Sequence, residues 1–182
     1  MSEVSDRYAM IAAGFTARVA GVPPDRWASP SPCPGWTARD VVAHVINGHH
    51  RVLAMLSKSQ PPVVAADDDV SARWPAATEA MLAAVSDRQQ SPRVIGTMFG
   101  DMPFEWLVNR LVCADTLIHT WDLARATGQD ERLEATAVTA VMELLTPFDE
   151  TIRRPGGFGP KIEPAPGADA QTRLLNFCGR AV

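Results

Sequence analysis

Apolar residues recur at helical spacing in several long stretches of the chain, and the prolines lie mainly between these stretches. Because proline removes a backbone donor and clashes inside a helix, proline-free stretches with an apolar face predict helices. The pattern predicts helices over 3–20, 37–58, 70–87, 103–126 and 130–145, with a short helix at 171–179. β-Branched residues between glycines predict a small extended segment or hairpin near 92–100.

Capping signals support two of these helices. Thr37 with Asp40 three residues later forms a capping-box pattern before the second helix, and Gly128 is a stop signal after the fourth. Antiparallel helices joined by turns, with almost no strand signal, predict an all-α, up-and-down helical bundle. With 182 residues, against roughly 150 for a typical domain, we expect a single domain over 1–182.

The amino-acid composition indicates which kinds of partner the protein can bind and in which compartment we expect it. Lysine and arginine number 17 against 21 acidic residues, so the net charge is −4 and argues against nucleic acid or anionic lipid as a partner. No apolar run approaches the ~18 residues of a membrane span, and the acidic start differs from a secretory signal. Cys33, Cys113 and Cys178 are too few and too far apart for a disulfide framework. We therefore expect reduced thiols and a cytoplasmic protein.

The fourth predicted helix carries polar residues on its apolar side. On a helical wheel Asp115, His119 and Asp122 fall inside the stripe formed by apolar neighbours, Leu111 among them. Burying a carboxylate without a partner costs several kcal/mol, so these groups require one. Either an Asp–His pair or an arginine from another helix satisfies them, or the i, i+4 carboxylate and imidazole are two ligands of one metal ion.

The other three histidines lie on the second predicted helix. His44 falls at the rim of its apolar face and His49 within that face, whereas His50 points away from it. Periodicity does not choose between His44 and His49 as a third ligand, and either is equally compatible with a core histidine bonded to backbone. Gly48 and Arg51 share the His44 side, where the glycine leaves space and the arginine offers a positive charge for an anionic ligand.

The proline-rich turn before this helix holds two further candidates. The thiol of Cys33 is compatible with metal binding or oxidation, although a small buried hydrophobe is the commoner role of a free cysteine. Trp36 is a candidate for lining a ligand cleft, and aromatic packing is the alternative. The turn directs the chain into the helix that carries His44.

Three segments together resemble the metal-binding domain of the mycothiol-dependent maleylpyruvate isomerase family. These are PCPGWTARDVVAHV at 32–45, ADTLIHTWDLARATGQD at 114–130 and FGPKIEPAPGADAQTRLLNFCGR at 158–180. The resemblance spans nearly the whole chain. It implies a DinB-like four-helix bundle that holds a divalent metal, usually zinc.

Carried over by motif, the resemblance assigns the metal ligands to His44, Asp115 and His119, with Asp122 as an acceptor that orients a ligand. The isomerase has a glutamate as its acidic ligand, so Asp115 is one methylene shorter. The isomerase also has a second, C-terminal domain that this chain does not provide after the fifth helix. The resemblance therefore implies the metal site more directly than the isomerase reaction.

Two functions follow as hypotheses. Two histidines and one carboxylate leave an open position on a tetrahedral zinc, where a small thiol such as mycothiol would be deprotonated for transfer to an electrophilic substrate. The protein would then be a thiol-dependent transferase or isomerase-like enzyme. The alternative is a non-catalytic or stress-associated domain that uses the metal structurally. A homodimer is compatible with either.

Overall fold

The computed structural model describes residues 2–97, 100–153 and 157–182, and most of these residues are helical. The helices are α1 (Glu3–Ala20), α2 (Ala38–Ser57), α3 (Val70–Ser86), α4 (Phe104–Leu107), α5 (Cys113–Thr127), α6 (Ala135–Leu145), α7 (Asp149–Ile152) and α8 (Ala170–Phe177). The all-α fold class is therefore confirmed. No helix within the described ranges is both long enough and apolar enough to cross a membrane.

The helix ends follow the capping signals with one exception. Thr37 and Asp40 form the predicted capping box before α2, and Gly128 ends α5 with a positive φ of 73°. The prediction that Asp130 opens the next helix is wrong, because α6 begins at Ala135. Glu134 is the capping residue there, since its side chain accepts a hydrogen bond from the backbone N–H of Ala137.

A short antiparallel hairpin follows α3. Strands β1 (Val94–Thr97) and β2 (Gly100–Pro103) pair, with Val94 opposite Pro103 and Thr97 opposite Gly100. This places strands in the segment near 92–100, as predicted, and residues 98–99 of that segment lie outside the described residues.

A π-helical segment, Val108–Val112, joins α4 to α5. The backbone N–H of Cys113 donates to the carbonyl of Val108, five residues earlier. The predicted fourth helix is therefore one helical run over 104–127 that contains a wider turn. π-Turns of this kind are rare in proteins as a whole, but those that occur are often at functional sites.

The chain divides into two compact units, over 1–131 and 132–182. In the first unit α1 packs on α3, α3 on α2, α2 on α5, and α5 on α1, which closes a four-helix ring. Consecutive helices α1 and α2 are therefore diagonal, whereas a simple up-and-down bundle places them side by side. The proline-rich connection between them is long enough to cross the bundle, as in other bundles with long crossovers.

Aromatic side chains fill the centre of this first unit. Phe15 of α1 meets Trp74 of α3 edge to face at 4.8 Å, and the indole N–H of Trp74 donates to Thr16 at 2.8 Å. These contacts fix α1 against α3, while α2 and α5 supply the residues considered below.

The second unit is built on α6 and α8, which pack against each other. Arg153 connects the segment after α7 to the end of α8. Its guanidinium lies 5.0 Å from the Phe177 ring and donates to the Phe177 carbonyl at 2.7 Å. The single domain expected over 1–182 stays a prediction.

Candidate metal centre

Three of the predicted ligands meet where α2 packs on α5. The Nε2 atom of His44 lies 3.1 Å from Oδ1 of Asp115, and Nε2 of His119 lies 3.4 Å from the same oxygen. The i, i+4 spacing puts Asp115 and His119 on one side of α5. The donor atoms of all three residues lie within 4.8 Å of one another. We call these three residues the candidate metal centre.

The centre is buried at His119 and reaches the protein surface at His44 and Asp115. His119 is buried, whereas the side chains of His44 and Asp115 are 28% and 34% exposed. Leu111, one turn before Asp115, is 38% exposed, so its predicted place in the buried stripe is wrong. Leu111 lies in the π-helical segment, where each residue advances by less than in an α-helix, so a regular helical wheel misplaces it. A small molecule can approach the centre from its exposed side.

Asp122 lies behind His119 and is fully buried. Its Oδ2 accepts a hydrogen bond of 2.8 Å from Nδ1 of His119. A hydrogen on Nδ1 leaves the lone pair on Nε2, the nitrogen that faces Asp115. Carboxylates placed in this way fix the ring orientation and tautomer of metal-binding histidines.

Trp36 covers the two imidazoles. Its ring centroid is 4.7 Å from that of His44 and 5.9 Å from that of His119. The turn before α2 fixes the backbone of Trp36, because the backbone N–H of Trp36 donates to the Cys33 carbonyl and the Trp36 carbonyl accepts from the backbone N–H of Ser31. Half-buried, Trp36 forms a wall of the centre.

The same turn brings Cys33 to the centre from the other end. The Cys33 thiol donates to Oδ2 of Asp122 at 3.3 Å, which is the oxygen that His119 also contacts. Cys33, His119 and Asp122 form a second group whose donor atoms lie within 4.8 Å of one another. Sequence reasoning favoured a plain hydrophobic role for Cys33. The one feature of the sequence that pointed to a role for Cys33 at the centre was its position in the turn that leads into the helix with His44.

Comparison with known proteins places the chain in a family. The family model for the mycothiol maleylpyruvate isomerase N-terminal domain matches residues 8–124, a range that includes the centre, Asp122, Trp36 and Cys33. The chain belongs to this family. Uncharacterized proteins from two strains of Mycobacterium tuberculosis are each 30% identical over 177 residues, which is 92% of this chain and 92% of the relative. No solved structure gives a significant match.

The donor set in this member of the isomerase N-terminal domain family fits a divalent metal. A tetrahedral zinc with bonds of about 2.0–2.1 Å holds neighbouring donor atoms about 3.3 Å apart. The separations of 3.1 Å and 3.4 Å from Asp115 Oδ1 to the two imidazoles match that spacing. Two imidazoles with one carboxylate also suit several other first-row metals.

The charges in this family member's centre favour a cation between the carboxylates. Burial opposes the charge on Asp115, but His119, together with a hydrogen bond from His44, outweighs burial and holds the Asp115 pKa well below its usual range. Burial also opposes a charged His119, yet Asp115 and then Asp122 raise the His119 pKa well above its ordinary value. The two carboxylates therefore stabilise a protonated His119, and a metal ion that binds Nε2 would displace that proton.

His49, the other candidate on α2, lies in the core away from these donors. Its Nδ1 donates to the Val45 carbonyl at 2.8 Å, and its Nε2 accepts from the Tyr8 hydroxyl at 2.9 Å. Burial lowers the pKa of His49 to about 4. Both ring nitrogens are thus used within the fold. His50 contacts the Pro62 carbonyl at 3.0 Å, and it too stays outside the centre.

Gly48 and Arg51 border the open side of the centre. A Cβ atom on Gly48 would lie 3.7 Å from Oδ2 of Asp115 and 3.8 Å from Nη2 of Arg51. The missing side chain therefore leaves space beside the Asp115 carboxylate, and the exposed Arg51 guanidinium lies at the edge of that space. The role of Arg51 as a partner of an anionic ligand stays a prediction.

Proposed function

We propose that the protein binds zinc through His44, Asp115 and His119 and catalyses a reaction that depends on a small thiol, mycothiol, and an electrophilic substrate. The observation that carries this proposal is the convergence of three donor atoms on one point that remains open on one side. A closed set of four protein ligands is typical of structural zinc, whereas three ligands with an open position are typical of catalytic zinc.

When bound, the metal would coordinate the thiol and favour its thiolate form. The side chains have separate tasks around it. His44 and His119 bind as neutral imidazoles, and Asp115 supplies the charge of the donor set. Asp122 keeps the proton of His119 on Nδ1, and Trp36 excludes water from the imidazole face. Thiol and electrophile enter from the side that Gly48 leaves open.

Metal content is the first test. Protein purified without a histidine tag should hold about one zinc per chain by mass spectrometry, and His44→Ala, Asp115→Ala and His119→Ala should each lose it. His50→Ala is the matched control, because it removes a histidine from the same helix outside the centre and should keep the metal. Metal content below stoichiometry that ignores the three substitutions would reject the proposal.

Thiol chemistry is the second test. Zinc-loaded protein should convert members of a panel of electrophiles, including maleylpyruvate, only when mycothiol is present, with products followed by mass spectrometry. A transfer reaction would consume the thiol, whereas an isomerisation would return it. Chelation should abolish turnover, and added zinc should restore it. Turnover that persists in the His119→Ala protein would place the chemistry elsewhere.

A structural role for the metal is the second candidate function. The three ligands come from two neighbouring helices, so an ion there would clip α2 to α5. In that case chelation should lower the melting temperature sharply, and no electrophile should support thiol-dependent turnover. The exposure of His44 and Asp115 favours the catalytic reading, since a purely structural ion needs no open side.

A further inference from the structure

We infer that Cys33 is a positioning residue for the metal centre, acting through Asp122 on His119. This inference rests on the proposed metal site. It assigns a role to a thiol that neither the ligand set nor the proposed reaction uses.

The turn before α2 is built so that Cys33 and Trp36 reach the centre together. The backbone N–H of Cys33 donates to the Ser31 hydroxyl at 3.2 Å, and the Cys33 carbonyl accepts from the Trp36 N–H at 3.0 Å. An isolated bridge between Pro30 and Thr37 closes the base of the turn. The position of the Cys33 thiol is thereby tied to the start of the helix that carries His44.

The thiol contacts the Asp122 carboxylate and also interacts with His119. Oδ2 of Asp122 accepts from Sγ of Cys33 at 3.3 Å and from Nδ1 of His119 at 2.8 Å. Asp122 is fully buried, so its orientation is set by the protein groups that donate to it. With Cys33 on one side and His119 on the other, the carboxylate is held in the position that fixes the imidazole. Losing the thiol removes one of these donors.

The same geometry argues against Cys33 as a metal ligand beside His119. The Nδ1 atom that faces Cys33 and Asp122 carries the hydrogen of the bond to Asp122, so it offers no lone pair. In the neutral imidazole that would bind a metal, the lone pair lies on Nε2, toward Asp115. Cys33 therefore donates a hydrogen bond behind the ligand and does not enter the ligand set.

The test uses Co²⁺ as the probe ion, with affinity measured by competition against a chelator and coordination followed by absorption. Cys33→Ala should weaken Co²⁺ binding several-fold, which is less than the roughly tenfold to hundredfold effect of removing a direct partner of a ligand. Cys33→Ser keeps a hydroxyl donor and should restore most of the affinity. Cys113→Ala, which removes a different buried thiol from the same unit, should bind Co²⁺ like the wild type.

Three outcomes would overturn the inference. Unchanged Co²⁺ affinity in a folded Cys33→Ala protein would show that the thiol has no positioning role. If His119→Ala abolished Co²⁺ binding in the same experiment, the metal site itself would still be supported. A sulfur-to-cobalt charge-transfer band in the wild type that Cys33→Ala removes would make Cys33 a ligand. Wild-type protein that takes up no Co²⁺ would remove the metal site and this inference together. Melting temperatures of all variants identify those that are folded.

Discussion

His119 and Asp122 lie three residues apart on α5, and the imidazole Nδ1 donates to the carboxylate Oδ2 across 2.8 Å. Asp122→Asn preserves the shape of the side chain but removes its charge. We expect the affinity for zinc to fall by about tenfold to a hundredfold, because a neutral acceptor holds and polarises the imidazole less well. Chelator competition measures the change. Asp67→Asn, which alters an exposed acid, is the control and should bind zinc normally.

Asp115→Glu tests the length of the acidic ligand. Oδ1 of Asp115 already lies 3.1 Å from His44 Nε2 and 3.4 Å from His119 Nε2, so one more methylene pushes the carboxylate past the point of convergence. We expect the variant to keep zinc with affinity reduced about tenfold, or roughly 1.4 kcal/mol. Isothermal titration with both proteins decides this. Tighter binding by the glutamate variant would show that the shorter side chain is not matched to its two partners.

His49 should make stability depend on pH. Its pKa is about 4 in the folded protein and about 6.5 when unfolded, so the unfolded chain binds the extra proton between these values. Stability contributed by neutral His49 is therefore present at pH 7 and is lost as pH falls below about 6.5. Between pH 7 and pH 5 we expect a loss of about 2 kcal/mol from this group.

Urea unfolding of the metal-free protein at several pH values measures this effect. In His49→Gln the part of the pH dependence due to this group should disappear, whatever the variant's stability at pH 7. Equal slopes for the two proteins would mean that His49 is protonated to the same extent in the folded and unfolded states.

Gly48→Ala should stabilise the protein without harming the centre. The new Cβ would make ordinary contacts of 3.7 Å and 3.8 Å with Asp115 and Arg51, and alanine is favoured over glycine inside a helix by roughly 0.5–1 kcal/mol. Gly14→Ala in α1, where no atom lies within 4 Å of the added Cβ, is the matched substitution and should gain a similar amount. Thermal unfolding compares the two gains. A loss of zinc affinity in Gly48→Ala alone would show that the space itself is required.

Local sequence signals were sufficient to predict most of the helices. The capping box at Thr37 and the glycine at 128 were sufficient to predict where α2 begins and where α5 ends. The order of helices around the bundle was not predictable from these signals, because it depends on which faces meet after the chain has crossed from α1 to α2. The π-helical segment was equally hidden, since its residues are ordinary helix formers.

The residues of the candidate metal centre were predictable from the sequence, except for the choice between His44 and His49. The wheel placed Asp115, His119 and Asp122 on one side of a helix, but it gave His44 and His49 equal standing. Packing of α2 on α5 separates them, because His44 meets Asp115 whereas His49 meets Tyr8 of α1. The position of Cys33 at the centre could not be predicted from the sequence, because it depends on a contact with Asp122, 89 residues further along the chain.

The wider turn at Val108–Val112 has a consequence for the whole helical run over 104–127. A π-turn holds one residue more than the α-turn it replaces, so side chains before and after it point in directions that a regular helix would not combine. Phe104 and Leu107 are buried before the turn, and His119 is buried after it. If the same residues formed a regular α-helix, one end of the run would be rotated against the other by up to about 100°. The directions of the metal-binding side chains, relative to the residues buried before the turn, therefore depend on this wider turn as well as on residue identity.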